Sequence, residues 1–306
     1  MTPLSPEEVL KQIAEALPEE CREHVIIIGS LAAGYHYFSG NPERSIRTKD
    51  VDCMFSPHAK AVSAAGTVTE QLLKANWAPR AVGKWSTPGT DETPESELPM
   101  IRLHPPGERG SADWFLELLG APDTQAQEAK SFRRVPTTVG HFAICSFNFL
   151  ALAEWQPIST AFGVRIARPE MMALANMLHH RAIGPELINE TTDKRSNKDL
   201  GRVLALAWLT QELDNRLGTD TLYEWPVAMA IALQEKFPER AKELALGAGD
   251  GIDALLQSPA DMDQALAICN RGLMASLEVG RPGFLAIGRR FRQIVLEPLQ
   301  EVATSW

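Results

Sequence analysis

Short apolar runs separated by amphipathic stretches open the chain and predict a small sheet with helices around it. The run at residues 24–28 is rich in β-branched side chains and ends at Gly29 and Ser30, as strands commonly end at turn-forming residues. A second apolar run follows at residues 50–55. Helical periodicity, in which apolar residues recur every three or four positions, surrounds these runs at residues 6–17, 31–38 and 58–75.

The rest of the chain changes from a mixed pattern to a helical one. Further strands are predicted at residues 99–104 and 113–119 and, in shorter form, across residues 135–166. Helices are predicted at residues 169–181, 197–213, 220–235, 238–246, 262–278 and 283–302. The sequence therefore predicts an α+β fold class, with a mixed domain over residues 1–165 and a helical domain over residues 166–306.

Composition limits the classes of protein that fit this sequence. Its 306 residues suffice for two ordinary domains, and its formal net charge of −9 argues against a broad electrostatic footprint for nucleic acid. No apolar run is long enough for a transmembrane helix, and the N-terminus lacks the pattern of a signal peptide. Four scattered cysteines without a CxxC pair are typical of reduced thiols. These features predict a cytoplasmic protein with no membrane partner.

The second apolar run contains the most informative chemistry, the pair Asp50 and Asp52. Strand side chains alternate between the two faces of a sheet, so both carboxylates should point to the same side. Two anions at this spacing repel each other unless a cation joins them. Hard oxygen ligands suit Mg²⁺, which normally also binds oxygens of a substrate phosphate. The pair therefore predicts metal ligation, the alternative being two ordinary structural acids.

Two further features complete the candidate site. Gly29 and Ser30 precede a predicted helix and either simply end the strand or offer backbone N–H groups to a phosphate. An acid in a later strand would serve as the third metal ligand. Glu117 is preferred because its neighbours are apolar, and Asp113 shares its face of the strand and stays open as the alternative.

These motifs, and their order along the chain, resemble those of the polymerase-β-like nucleotidyltransferase toxins of the abortive-infection type E group (AbiEii-like). Gly29-Ser30 resembles the Gly-Gly/Ser turn of that family, and residues 47–52 resemble its Arg-x-Thr-x-Asp-hydrophobic-Asp strand. Later, residues 168–178 resemble the family's Pro-Glu helix, and residues 197–200 resemble its Lys-Asp-Leu segment. The resemblance covers roughly residues 24–205.

The resemblance implies a nucleotidyltransferase fold, with a small mixed sheet and flanking helices followed by a helical domain. It implies Mg²⁺- or Mn²⁺-dependent transfer of a nucleoside monophosphate from an NTP, with the metal on Asp50 and Asp52, to which the strand pattern adds Glu117. In some relatives the acceptor is the tRNA 3′ end, and an antitoxin is encoded beside the toxin. It assigns nucleotide binding to Gly29, Ser30, Arg47, Thr48 and Lys49, and a catalytic role to Lys198 and Asp199.

Two departures from the family pattern bear on the chemistry. Arg47 directly precedes Thr48, whereas the family separates the two by one residue. The family often carries a lysine in the Pro-Glu helix, where this chain has Asn176-Met177. Neutralisation of the triphosphate must then come from another residue, for which Arg47, Lys49, Arg181 and Lys198 are candidates. Two other functions stay open: nucleotidyl transfer to a small molecule or a protein, and a non-catalytic, nucleotide-binding regulatory module. Lys198 and Asp199 can also be ordinary residues at a helix N-terminus.

Overall fold

The chain forms a mixed α and β structure with two compact units. The computed structural model describes residues 2–80, 87–107, 114–122, 130–183, 186–188 and 191–306. The first unit comprises Met1–Tyr35 and Thr48–Ala167, and the second comprises His36–Arg47 and Arg168–Trp306. The domain boundary near residue 165 stays a prediction, since compactness alone does not establish that either unit folds independently.

An open sheet of mixed strand direction forms the centre of the first unit. Its strands are β1 (Val25–Ile28), β2 (Asp50–Phe55), β3 (Ala78–Pro79), β4 (Arg102–His104), β5 (Phe115–Gly120), β6 (Lys130–Thr137), β7 (Gly140–Phe147), β8 (Ile158–Ser159) and β9 (Arg165–Ile166). Their main order is β3-β4-β5-β2-β1-β9-β8, and β7 pairs with both β5 and β6. The β2–β5, β5–β7 and β1–β9 pairs are parallel, and the other pairs are antiparallel.

Four helices accompany the sheet: α1 (Pro6–Ala16), α2 (Glu19–Arg22), α3 (Gly29–Phe38) and α4 (His58–Lys74). The hydroxyl of Ser5 caps α1 by accepting from the Glu8 N–H at 3.4 Å. On one sheet face, a Cβ added to Gly120 would lie 3.6 Å from the Cβ of Ala61 in α4. The buried residues Leu116 and Leu118 share that face by strand alternation. Helix α4 therefore covers the apolar face of β5.

The second unit is helical after the end of α3. Its helices are α5 (Pro169–Ile183), α6 (Arg195–Leu217), α7 (Trp225–Lys236), α8 (Ala241–Gly247), α9 (Asp250–Gln257), α10 (Pro259–Arg271), α11 (Arg281–Phe291) and α12 (Glu297–Thr304). Helix α6 packs against α5, α10 and α11 and forms the centre of this unit. None of the helices in the described ranges is both long and apolar enough to cross a membrane. All four cysteines of the chain are buried free thiols.

The helical periodicity of the sequence located most of these helices but not all their ends. The predicted helix at residues 283–302 is two helices joined by a π-helical turn, Arg292–Leu296. Pro298 lies in the first turn of α12. Because proline has no N–H to donate to the preceding turn, the regular ladder is interrupted there. The sequence also missed α9, which ends next to the N-cap of α10 at Ser258.

A buried polar cluster lies in the second unit around His36 and Tyr37. The Tyr37 hydroxyl lies 2.6 Å from the Thr210 hydroxyl, and the His36 ring packs edge-on against Tyr37 at 4.7 Å. Arg168 forms an ion pair with the buried carboxylate of Glu170. Burial, and then the positive charge of Arg168, lower the pKa of His36 to about 4. His36 is therefore neutral in the folded protein at pH 7.

We expect His36 to make the free energy of unfolding fall as the pH is lowered. Its folded pKa lies below the unfolded value of about 6.5, so protonation favours the unfolded chain between roughly pH 6.5 and 4. The shift corresponds to a loss of about 2 kcal/mol between pH 7 and pH 5. Urea unfolding of the wild type and of His36→Gln at both pH values measures this loss. The variant should lose about 2 kcal/mol less, and equal losses would contradict the assignment.

Candidate functional site

Strand register brings the three predicted carboxylates to one face of the sheet. Asp52 lies opposite Ile28 of β1 on one side and opposite Glu117 of β5 on the other. Asp50 precedes Asp52 by two residues and therefore shares its face. The alternative third acid, Asp113, lies outside the described residues. The arrangement concentrates negative charge at the end of β2.

The start of α3 lies directly against one of these carboxylates. Helix α3 begins at Gly29, whose φ of +71° is in the left-handed region that favours glycine. A Cβ at Gly29 would lie 3.0 Å from Oδ2 of Asp52. The partial positive charge of a helix N-terminus is favourable beside an anion. The turn at Gly29-Ser30 and the Asp-x-Asp strand, distant in sequence, therefore form one site.

Thr48 holds the other carboxylate of the pair. Its side chain is buried, and its hydroxyl lies 2.9 Å from both the carbonyl oxygen and Oδ1 of Asp50. Thr48 thereby orients Asp50, a contact different from the nucleotide binding that the sequence predicted for it. Lys49 is exposed, and its carbonyl accepts from the Phe115 N–H at 2.9 Å.

The carboxylate of Glu117 is engaged by Arg102 of the neighbouring strand. Arg102 Nε and Nη2 each donate to one oxygen of Glu117 at 3.1 Å. Glu117 is only 9% exposed, so this two-pronged pair balances a charge that would be costly to bury alone. Each carboxylate oxygen keeps a further lone pair, so a metal could still share Glu117. Sequence analysis missed Arg102, although a charged residue within a predicted strand was the available signal.

The remaining predicted residues, Arg47, Lys198 and Asp199, belong to the second unit. Arg47 is exposed, and its N–H donates to the Gly272 carbonyl at 3.1 Å. Lys198 and Asp199 lie near the N-terminus of α6. Asp199 is buried, and its Oδ2 lies 3.1 Å from Nδ1 of His179 in α5. This contact joins α6 to α5.

The carboxylates of this sheet face suit a metal ion that takes only part of its ligands from the protein. Over the described ranges, no group of three or more His, Cys, Asp or Glu side chains is arranged to hold a metal ion. Asp50 and Asp52 provide two hard carboxylates on one face. Mg²⁺ is commonly bound through one or two carboxylates, with water and substrate phosphate completing its shell. Two aspartates therefore fit a metal that arrives with a phosphate ligand.

Compared with known proteins, the chain matches no family model and no curated protein sequence.

We expect Gly29→Ala to lower the free energy of unfolding by more than Gly218→Ala. Both glycines have a left-handed φ, for which a side chain costs about 1–2 kcal/mol. A Cβ at Gly218 meets nothing within 4 Å, whereas one at Gly29 meets Asp52. The excess loss should disappear when Gly29→Ala is combined with Asp52→Ala, which a urea-unfolding double-mutant cycle measures. If the losses of unfolding free energy in the two single variants simply add in the double variant, the Asp52 carboxylate is not what makes Gly29→Ala costly.

The ion pair between Arg102 and Glu117 should be coupled energetically. Glu117→Gln and Arg102→Gln each leave a charge that has lost its partner, and together they remove both charges. Because the Arg102 side chain is 37% exposed, we expect a coupling energy of about 1–2 kcal/mol rather than that of a fully buried pair. Urea unfolding of the wild type, both single variants and the double variant gives this value. A coupling near zero would contradict the pair's structural role.

Proposed function

We propose that this chain is a metal-dependent nucleotidyltransferase that moves a nucleoside monophosphate from an NTP to an acceptor hydroxyl. The single observation that carries the proposal is the contact between Asp52 and the first residue of α3. A Cβ on Gly29 would lie only 3.0 Å from the Asp52 carboxylate. A phosphate-binding helix N-terminus and a metal-binding carboxylate at such close range are the two parts that this chemistry requires.

Each residue of the site has a distinct part in the proposal. Asp50 and Asp52 would hold Mg²⁺, with Thr48 fixing the orientation of Asp50. When bound, Mg²⁺ neutralises phosphate charge and lowers the pKa of a bound hydroxyl. The N–H groups of Gly29 and Ser30 belong to the first residues of α3 and would orient phosphate oxygens. Positioning and charge neutralisation, rather than covalent catalysis, are what phosphoryl transfer chiefly needs from a protein.

Arg102 has an electrostatic part in this arrangement. Three carboxylates on one face would repel an incoming triphosphate. The pairing of Arg102 with Glu117 offsets one of these charges. Glu117 would join a second metal only by sharing its oxygens with Arg102. Weaker Mn²⁺ binding by Glu117→Gln would support the sequence prediction that Glu117 is the third ligand.

The finer fold and the biological role are parts of the same proposal. The antiparallel β1–β2 pair places the Gly-Ser turn beside the two aspartates in a mixed sheet with a helical region following, which supports a nucleotidyltransferase fold. From the resemblance to AbiEii-like toxins we propose a tRNA acceptor and an antitoxin partner. The competing acceptor is a small molecule or a protein. An acidic protein, with a net charge of −9, needs a local cationic surface to bind the phosphates of an RNA acceptor.

We expect Asp52→Asn to abolish nucleotidyl transfer while the protein stays folded. The purified protein is incubated with Mg²⁺ and each α-³²P-labelled NTP, with and without total RNA. Loss of a metal-binding carboxylate removes several kcal/mol of charge stabilisation, so label transfer should fall by about 100-fold or more. The exposed Asp220→Asn is the matched control for the same change of side chain and should transfer label like the wild type.

The location of the label decides among the candidate acceptors. Label that appears on RNA with the wild type but not with Asp52→Asn supports an RNA nucleotidyltransferase, and the labelled NTP that reacts identifies the transferred nucleotide. Label on the protein or on a small molecule supports the competing acceptors. Undiminished, Mg²⁺-dependent transfer by Asp52→Asn would overturn the site assignment. Nucleotide binding without any transfer would favour the regulatory module.

A further inference from the structure

A row of charged residues crosses the sheet beside the aspartates. Arg80 directly follows β3, and its N–H donates to the Arg102 carbonyl at 2.8 Å. Arg102 is opposite Glu117, and Glu117 is opposite Asp52. Cross-strand partners share a face, so the row places two cations and two anions side by side. Strand spacing of about 4.8 Å puts the backbones of Arg80 and Asp52 roughly 14 Å apart.

The Arg80 side chain shortens this distance by leaning across the sheet. Its guanidinium carbon lies 4.2 Å from the centroid of the Phe115 ring, in the range of a cation–π contact. Phe115 belongs to β5 and is the direct register partner of Asp50. The Arg80 guanidinium therefore lies over the strand next to the aspartate pair, on the same face of the sheet.

The charge of Arg80 is only partly balanced there. Burial and then the nearby Arg102 lower the pKa of Arg80, whereas Glu117 and Asp50 raise it. Both oxygens of Glu117 already accept hydrogen bonds from Arg102. Within the part of the chain that the structure describes, Arg80 makes no salt bridge. Arg80 is half-buried, and the N–H groups of a guanidinium over an aromatic ring can still donate to an anion.

We infer that Arg80 binds a phosphate group of the nucleotide held at Asp50 and Asp52. This inference rests on the proposed nucleotidyltransferase function and adds a residue that the sequence motifs did not include. Arginine suits this part because its planar fork can donate two parallel hydrogen bonds to phosphate. Arg80 would supply the neutralising charge that the family places on a lysine of the Pro-Glu helix, where this chain has Asn176-Met177.

The test compares Arg80→Gln and Arg80→Lys with a matched control. Arg133 is an exposed arginine of β6 and pairs with Ile144 of β7. The next residue of β7, Cys145, pairs with Leu119, which shares the face of Glu117. Ile144 and Arg133 therefore lie on the opposite face of the sheet. Arg133→Gln therefore makes the same change of charge away from the aspartates. Isothermal titration calorimetry with Mg²⁺ measures binding of inorganic triphosphate and of each NTP. Circular dichroism checks that each variant is folded.

We expect Arg80→Gln to raise the Kd of triphosphate and of the bound NTP about tenfold, the size of one charge-assisted contact. Arg80→Lys should lie between Arg80→Gln and the wild type, because an ammonium keeps the charge and loses the fork. Arg133→Gln should bind like the wild type. If Arg80→Gln fails to fold, a Kd for Arg80→Lys equal to that of the wild type overturns the inference.

Other outcomes separate this inference from the proposed function. If the wild type binds an NTP and Arg80→Gln binds it equally well, the inference is wrong and the proposed function is unaffected. The inference is also overturned if Arg80→Gln binds NTP like the wild type but binds single-stranded RNA more weakly. Arg80 would then contact a phosphate of the acceptor instead. If the wild type binds neither triphosphate nor any NTP, both the proposed function and the inference fail.

Discussion

Repulsion among carboxylates on one sheet face is the constraint on which the arrangement of the first unit depends. Asp50, Asp52 and Glu117 share that face because of strand register, and like charges at this spacing destabilise a fold unless they are balanced. The surrounding structure balances them in different ways. Arg102 pairs with Glu117 through two hydrogen bonds, and the N-terminus of α3 lies against Asp52.

The groups that the structure shows beside the three carboxylates differ in kind. A full positive charge offsets Glu117, whereas a hydroxyl orients Asp50 and a helix N-terminus faces Asp52. A hydroxyl and a helix dipole stabilise an anion without cancelling its charge. Two carboxylates on one face suit a hard cation, and β4 and β3 carry Arg102 and Arg80 two and three strands away from the aspartates.

Local sequence patterns predicted the elements of this site better than its partners. The β-branched run before Gly29 and the Asp-x-Asp run gave the locations of β1 and β2, and helical periodicity gave most of the second unit. The order of the motifs did not predict how closely Gly29 approaches Asp52. Arg102 and Arg80 could not be assigned to the site this way, because β4 and β3 reach the aspartates only through β5, whose partner β2 is distant from it in the sequence. Register between such strands is set by long-range packing.

In the proposed function, the position of Arg80 lets the sheet supply a charge that the resembled family places on a helix. Electrostatic stabilisation of a triphosphate depends on where a cation lies and on the local dielectric, and much less on the element that carries it. An edge strand can carry a long charged side chain, since its outer side is not covered by another strand. Packing against Phe115 then fixes the guanidinium, as helix packing would fix a lysine. The sheet face of this chain therefore carries a cation over Phe115, the register partner of Asp50.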